Sequence, residues 1–176
     1  LPPRSTLFPY TTLFRSGIKK AAPLKSGIHE KKKEDGMKQS QKLLLTWLIE
    51  DTRLFDSIKG WITEEDFTEP LYRKAAQELF AQYVESGQVN PAKIISRFLE
   101  EEEQKEIAGL FNAKIHEVET KQDKEKALKE TIERIKENSI DVRSRQSDPN
   151  DLTVVMQLIN EQKELEKLKK THISID

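Results

Sequence analysis

From Leu43 onward the apolar positions fall into short helical periods. Leu43, Leu44, Trp47 and Leu48 repeat at i, i+1, i+4 and i+5, which makes one wide apolar helix face. Asp51 or Thr52 can cap the next segment, where Leu54, Phe55, Ile58, Trp61 and Ile62 keep helical spacing and Gly60 weakens the end. Thr63 with Asp66 three residues on predicts a short capped turn before Phe67. Glu69-Pro70 opens a strong helix. Leu71, Ala75, Leu79 and Tyr83 mark one face of it, Tyr72, Ala76, Phe80 and Val84 lie beside them, and Gly87 stands where a left-handed C-terminal residue belongs. Asn90-Pro91 is a cap followed by proline at the first helical position, with Ile94, Ile95, Phe98 and Leu99 as the buried stripe. After the acidic run Glu100–Glu103, which suits a helix N-terminus, Ile107, Leu110, Phe111 and Ile115 carry a further helix inward.

The last third of the chain is built differently. No glycine follows Gly109, and Pro149 alone interrupts two long, charged, periodically apolar segments at 121–147 and 149–170. Proline just inside a helix start, after a capping Ser147 or Asp148, reads as one helix ending and another beginning. In the first segment Leu128, Ile132, Ile135 and Val142 form a narrow stripe. The second has more apolar surface than one partner helix needs: Leu152, Val155, Met156 and Ile159 form one stripe, and Val154, Leu158, Leu165 and Leu168 another, rotated about the axis. One stripe pairs with the first helix and the other is a candidate contact surface. Packing of that second stripe on the compact module or on a second copy is the alternative.

No alternation persists long enough for a strand. The predicted fold is all-α, a compact bundle of five or six short helices followed by a long C-terminal helical hairpin. The predicted divisions are 1–16, a linker at 17–40, a bundle at 41–118 and the hairpin at 119–176.

Residues 1–16, LPPRSTLFPYTTLFRS, resemble nothing after them. Thr6–Ser16 back-translates into DNA resembling a widely used sequencing adapter. The stretch is read as an assembly scar, and the natural protein is expected to continue upstream of Gly17. Residues 17–40 carry Gly17, Pro23, Gly27, Gly36 and the run Lys31, Lys32, Lys33 without an apolar period, which is linker composition.

Hydrophobic and charged residues each make up 35% of the chain, against about 45–50% and about 25% in average globular domains. The chain is therefore surface-rich, with its apolar content concentrated in the bundle. A net charge of −1 lacks the basic footprint that phosphate binding needs, so direct nucleic-acid binding is not expected. The absence of cysteine excludes disulfides, thiolate nucleophiles and zinc–cysteine sites. No apolar run approaches the roughly 20 residues that span a bilayer, so no membrane insertion is expected.

No catalytic constellation stands out. His29, His116 and His172 lack ligand spacing, and there is no phosphate loop or nucleophile elbow. The acidic groups Glu64, Glu65, Asp66 and Glu100–Glu103 are read as exposed helix starts rather than cation sites. Asp148 and Asp151 are turn and cap residues. The chain itself is read as non-catalytic, with no cofactor or metal of its own. Its bundle leans acidic while the hairpin is nearly balanced, a distribution that points to a protein partner.

The run LLLTWLIEDTRLFDSIKGWITEEDFTEPLYRKAAQELFAQYVESGQVNPAKIISRF, followed by a charged helical hairpin, resembles the C-terminal helicase-binding domain of bacterial replicative DNA primase. The resemblance covers roughly 41–170, and QVNPAKIISRF (Gln88–Phe98) is its most specific piece. It implies a cytoplasmic docking module at the replication fork. The module recruits primer synthesis to the N-terminal domains of the replicative DNA helicase ring and stimulates the helicase. In the family the hairpin is the principal contacting element. Here that means Val154, Leu158, Leu165 and Leu168, with Glu161, Gln162 and Lys167 placed by their position in the last helix. The parent family is a nucleotidyltransferase whose zinc module and magnesium-binding carboxylate core are expected upstream of this chain. Two other readings share the pattern. The helicase's own N-terminal domain carries a similar signature, here Asp66-Phe67 through Pro70-Leu71-Tyr72-Arg73. A homodimeric scaffold would instead bring Leu158 and Leu165 against a second copy.

Overall fold

Capping and glycine placement divide the chain where the periodicity does. The computed structural model describes residues 26–113 and 120–175, with side chains from Asp35 onward. Within them lie α1 (Ser26–Glu50), α2 (Leu54–Ile58), a 3₁₀ turn at Glu64–Asp66, α3 (Pro70–Ser86), α4 (Pro91–Ile95), α5 (Glu101–Asn112), α6 (Lys121–Gln146) and α7 (Leu152–Lys170). The fold is all-α, a bundle with a long helix pair at its C-terminal end. Asn90 accepts the Lys93 amide at 3.1 Å and Thr120 accepts that of Asp123 at 3.1 Å, each satisfying an orphan donor of a first turn. Gly87 closes α3 at φ 66°, a left-handed conformation in which a side chain would be strained, and its amide donates to the Tyr83 carbonyl.

α1 is the hub, packed against α6, α5, α3 and α2. Its apolar content explains this: Leu44, Leu45, Trp47 and Leu48 are all buried and serve neighbours on several sides. Phe55 of α2 meets Phe80 edge-on at a centroid distance of 5.0 Å, and Phe67 meets Phe80 in the same manner at 6.3 Å. Such ring pairs favour edge-to-face geometry. Polar groups tie α1 to the loop before α3. Gln41, fully buried, donates to Thr68 Oγ1 at 2.8 Å and accepts the Glu69 amide at 3.1 Å, while Asn138 of α6 donates to the same Thr68 oxygen at 3.0 Å.

One hydrophobic cluster runs from Leu44 through Leu128, Ile132 and Ile135 of α6 to Leu165 and Leu168 of α7. The boundary expected near 118 therefore does not separate two cores. α6 completes the bundle, and α7 lies on its outer side. α1 likewise begins at Ser26, ahead of the bundle start expected at 41. The Lys, Glu, Gln and Met of this stretch are good helix formers, and the docked half of α1 supplies the nucleus they propagate from. Residues 1–25, Ile115 and His116 lie outside the described residues. No helix among those described is long and apolar enough to cross a membrane.

Three positions depart from the expected stripes. Leu45 is buried while Leu43 is 36% exposed, because α1 is enclosed on the side that a single amphipathic face leaves open. Leu99 is exposed because α4 ends at Ile95 and releases it into a loop. Val84 is exposed on the last turn of α3, beyond the reach of the core.

After α7 the chain returns in extended form. Ile173 and Ile175 are both buried and belong to the common cluster. The Ile175 amide donates to Glu125 Oε1 at 2.9 Å on the first turns of α6, and His172 Nε2 lies 3.4 Å from the other oxygen. The alternation Ile173–Ser174–Ile175 was the available signal for this strap, but it is too short to register as a period.

Replacing Ile173 by alanine should lower stability by about 2 kcal/mol in chemical denaturation, near the low end for buried Ile→Ala because terminal backbone can relax. A second expectation concerns acid. Tyr72 of α3, wholly buried, donates to Glu106 Oε1 at 2.7 Å, and Lys38 of α1 pairs with the same oxygen at 3.1 Å. The Tyr72 hydrogen bond, with Lys38 assisting against partial burial, holds the Glu106 carboxyl below its ordinary value. Its contribution is present above the unfolded pKa of about 4.3 and disappears as pH falls through the lower folded value. Glu106→Gln should therefore flatten the loss of stability between about pH 5 and 3 in pH-dependent urea titrations.

Candidate docking face of the helical hairpin

Ser147–Asp151 reverses the chain between α6 and α7. Ser147 Oγ donates to the Arg143 carbonyl, and Asp148 Oδ1 accepts both the amide and the side-chain nitrogen of Asn150, at 2.9 and 3.0 Å. Asp151 caps α7 by accepting the amides of Thr153 and Val154. Pro149 thus sits in the turn and not at the first helical position, because Asp151 offers the better cap.

Charges inside the fold contribute to the orientation of α7. Asp66 of the 3₁₀ turn is 1% exposed, contrary to its reading as a surface acid. Its Oδ2 accepts the Thr63 amide at 2.9 Å, forming the predicted cap, and also meets Lys136 Nζ of α6 at 3.2 Å. Arg143, two turns along α6, places Nη2 3.4 Å from Asp66 Oδ1 and donates from Nη1 to Glu161 Oε1 of α7 at 2.7 Å. Ser139 Oγ, at 3.0 Å from Nη2, completes the coordination of the guanidinium. The chain Lys136–Asp66–Arg143–Glu161 joins three elements. Burying such charges is tolerable only because each finds an opposite charge and further hydrogen bonds. Near the far end Lys169 bridges Glu137 of α6 at 2.9 Å and Glu166 at 3.4 Å; the Glu137 hydrogen bond raises its pKa above the ordinary lysine value. Lys129 donates to the Lys169 carbonyl at 2.8 Å.

The two stripes of α7 exchange the roles expected of them. Leu165 and Leu168 are each 1% exposed, and Val154 and Leu158 are partly buried beside them. Glu161 lies on the same seam. The positions 154, 158, 161, 165 and 168 follow a 4-3-4-3 spacing along most of the helix, whereas Leu152, Val155, Met156 and Ile159 occupy only its first turns. The longer seam buries more against α6 and therefore wins. A seam glutamate asks for a cation, and the half-buried Arg143 supplies it. Leu158 and Leu165, which the scaffold reading offers to a second copy, are thereby turned toward α6.

Outward the helix presents Leu152, Met156 and Ile159, at 74%, 65% and 49% exposure. Gln162 and Lys167, also expected as contact residues, are both exposed. An open groove of about 490 Å³ lies beside the turn, lined by Ile140, Ser144, Val155, Leu158, Ile159 and Gln162. Among the described residues no three His, Asp or Glu side chains converge as metal ligands. The face offers shape, apolar area and charge, and these suit recognition of a partner. No family model matches the chain, and no curated protein or solved structure is similar to it.

Lys136→Met should cost about 3 kcal/mol by leaving Asp66 buried with its nearest cation removed, and Asp66→Asn in the same chain should recover most of that loss. A double-mutant cycle in urea measures both.

Proposed function

We propose that the chain is the helicase-binding domain of a bacterial replicative DNA primase, docking primase on the N-terminal domains of the replicative helicase and coupling primer synthesis to unwinding. The observation that carries this reading is the run from Leu43 to Phe98, with QVNPAKIISRF within it, followed by a charged hairpin whose second helix leaves three large apolar side chains in solvent. Isolated exposed apolar residues are common, but three in succession on one helix face, beside a groove, mark a contact surface. The contact moves from Val154, Leu158, Leu165 and Leu168 to the opposite side of α7, with Gln162 and Lys167 retained. On this reading the domain acts in the cytoplasm as an adaptor, and zinc and magnesium chemistry belongs to upstream parts of the parent enzyme.

Calorimetric titration of the full chain into the purified N-terminal domain of a replicative helicase tests the reading. Saturable binding with a dissociation constant on the order of tens of micromolar or tighter is expected. The absence of any saturable heat at such concentrations would refute it.

A further inference from the structure

The outward side of α7 continues past its apolar part. Positions 152, 156, 159, 163, 167 and 170 fall on one line at helical spacing, so Leu152, Met156 and Ile159 are followed by Lys163, Lys167 and Lys170. All six are exposed. None of the three ammonium groups has an ionic partner among the described residues, although Lys169, beside them, is paired with Glu137 and Glu166. The line extends about 27 Å at 1.5 Å per residue, and it lies opposite the seam that holds α7 to α6. We infer that this strip is a two-part docking surface for an acidic protein partner, whose apolar residues seat on Leu152, Met156 and Ile159 and whose carboxylates meet Lys163, Lys167 and Lys170. The inference rests on the docking reading above and names the chemistry of the helicase surface that the hairpin would meet.

Charge complementarity chooses the occupant. These lysines, without ionic partners among the described residues, leave a cationic half-face that an acidic surface neutralises, and their methylene stems extend the apolar half toward it. Phosphate-bearing partners suit the strip less well. The apolar half of the strip would gain nothing from a polyanion, so a partner offering phosphates alone would leave Leu152, Met156 and Ile159 in solvent. A lipid surface would need a broader apolar face than three side chains on two turns.

The test uses the full chain and two variants, Lys163→Glu/Lys167→Glu/Lys170→Glu and Met156→Ser/Ile159→Ser. Both alter exposed positions, so thermal melts should stay within a few degrees of the parent. Each is titrated calorimetrically into the helicase N-terminal domain at low and high salt. The parent should bind more weakly as salt rises, because exposed charge pairs are screened. The lysine variant should bind at least tenfold more weakly at low salt and lose the salt dependence. The apolar variant should bind at least tenfold more weakly but keep that dependence. A parent that binds while both variants bind equally well overturns the strip and leaves the docking reading intact. A parent that does not bind overturns both. Lysine-dependent binding to a single-stranded oligonucleotide or to phosphatidylserine vesicles, without binding to the helicase domain, would assign the strip to phosphate and overturn the protein partner.

Discussion

Asp66 cannot reach water, and the geometry of the C-terminal hairpin depends on how its charge is met. The 3₁₀ turn that carries it is short and locally determined, held by the Thr63 amide on one carboxylate oxygen. That leaves the carboxylate aimed at α6, where Lys136 and Arg143 both converge on it. Two cations on one carboxylate would be unbalanced in a low-dielectric interior. Glu161 of α7 restores the balance by accepting from Arg143 Nη1. The rotation of α7 about its own axis follows from this pairing as much as from hydrophobic burial.

Buried ion chains of this type contribute less to net stability than to selection among arrangements, since the desolvation of each charge offsets most of the attraction. Here the alternatives are concrete. α7 carries two apolar stripes, and either could in principle lie on α6. The heptad-spaced seam favours one by area, and the Arg143–Glu161 pair adds to that preference. The strap of Ile173 and Ile175, fastened to Glu125, then holds the far end of the helix pair against the start of α6.

These restraints divide the hairpin into a fixed side and a presented side. Facing α6 are packed leucines and a closed charge network; facing solvent are an apolar lead and a cationic continuation. The proposed docking role fits such restraint, because a surface already ordered loses little side-chain freedom on binding. The bundle beneath it, organised around α1 and ordered through Gln41, Thr68 and Asn138, serves as the platform that holds the face in position.

The order of the helices and several of their caps were legible from spacing alone, although α1 starts earlier, at Ser26, and α7 later, after Asp151, than the sequence implied. Asn90-Pro91, Glu69-Pro70, Gly87 and the Thr63–Asp66 turn act through contacts within four residues, and such contacts are written in the local sequence. The bundle core was legible for the same reason, apart from Leu43, Leu99 and Val84, where a helix is enclosed on more sides or ends earlier than its period implies. The candidate face was only half legible. The amino-acid sequence by itself determined that α7 has two apolar stripes, more than one partner helix needs, and left open what the second of them meets. Which one remained in solvent was decided by the tertiary structure, through a seam matched in length to α6 and an Arg143–Glu161 pair spanning two helices. Such pairings between residues distant in sequence leave no period to read, because burial and charge balance are properties of the assembled surfaces.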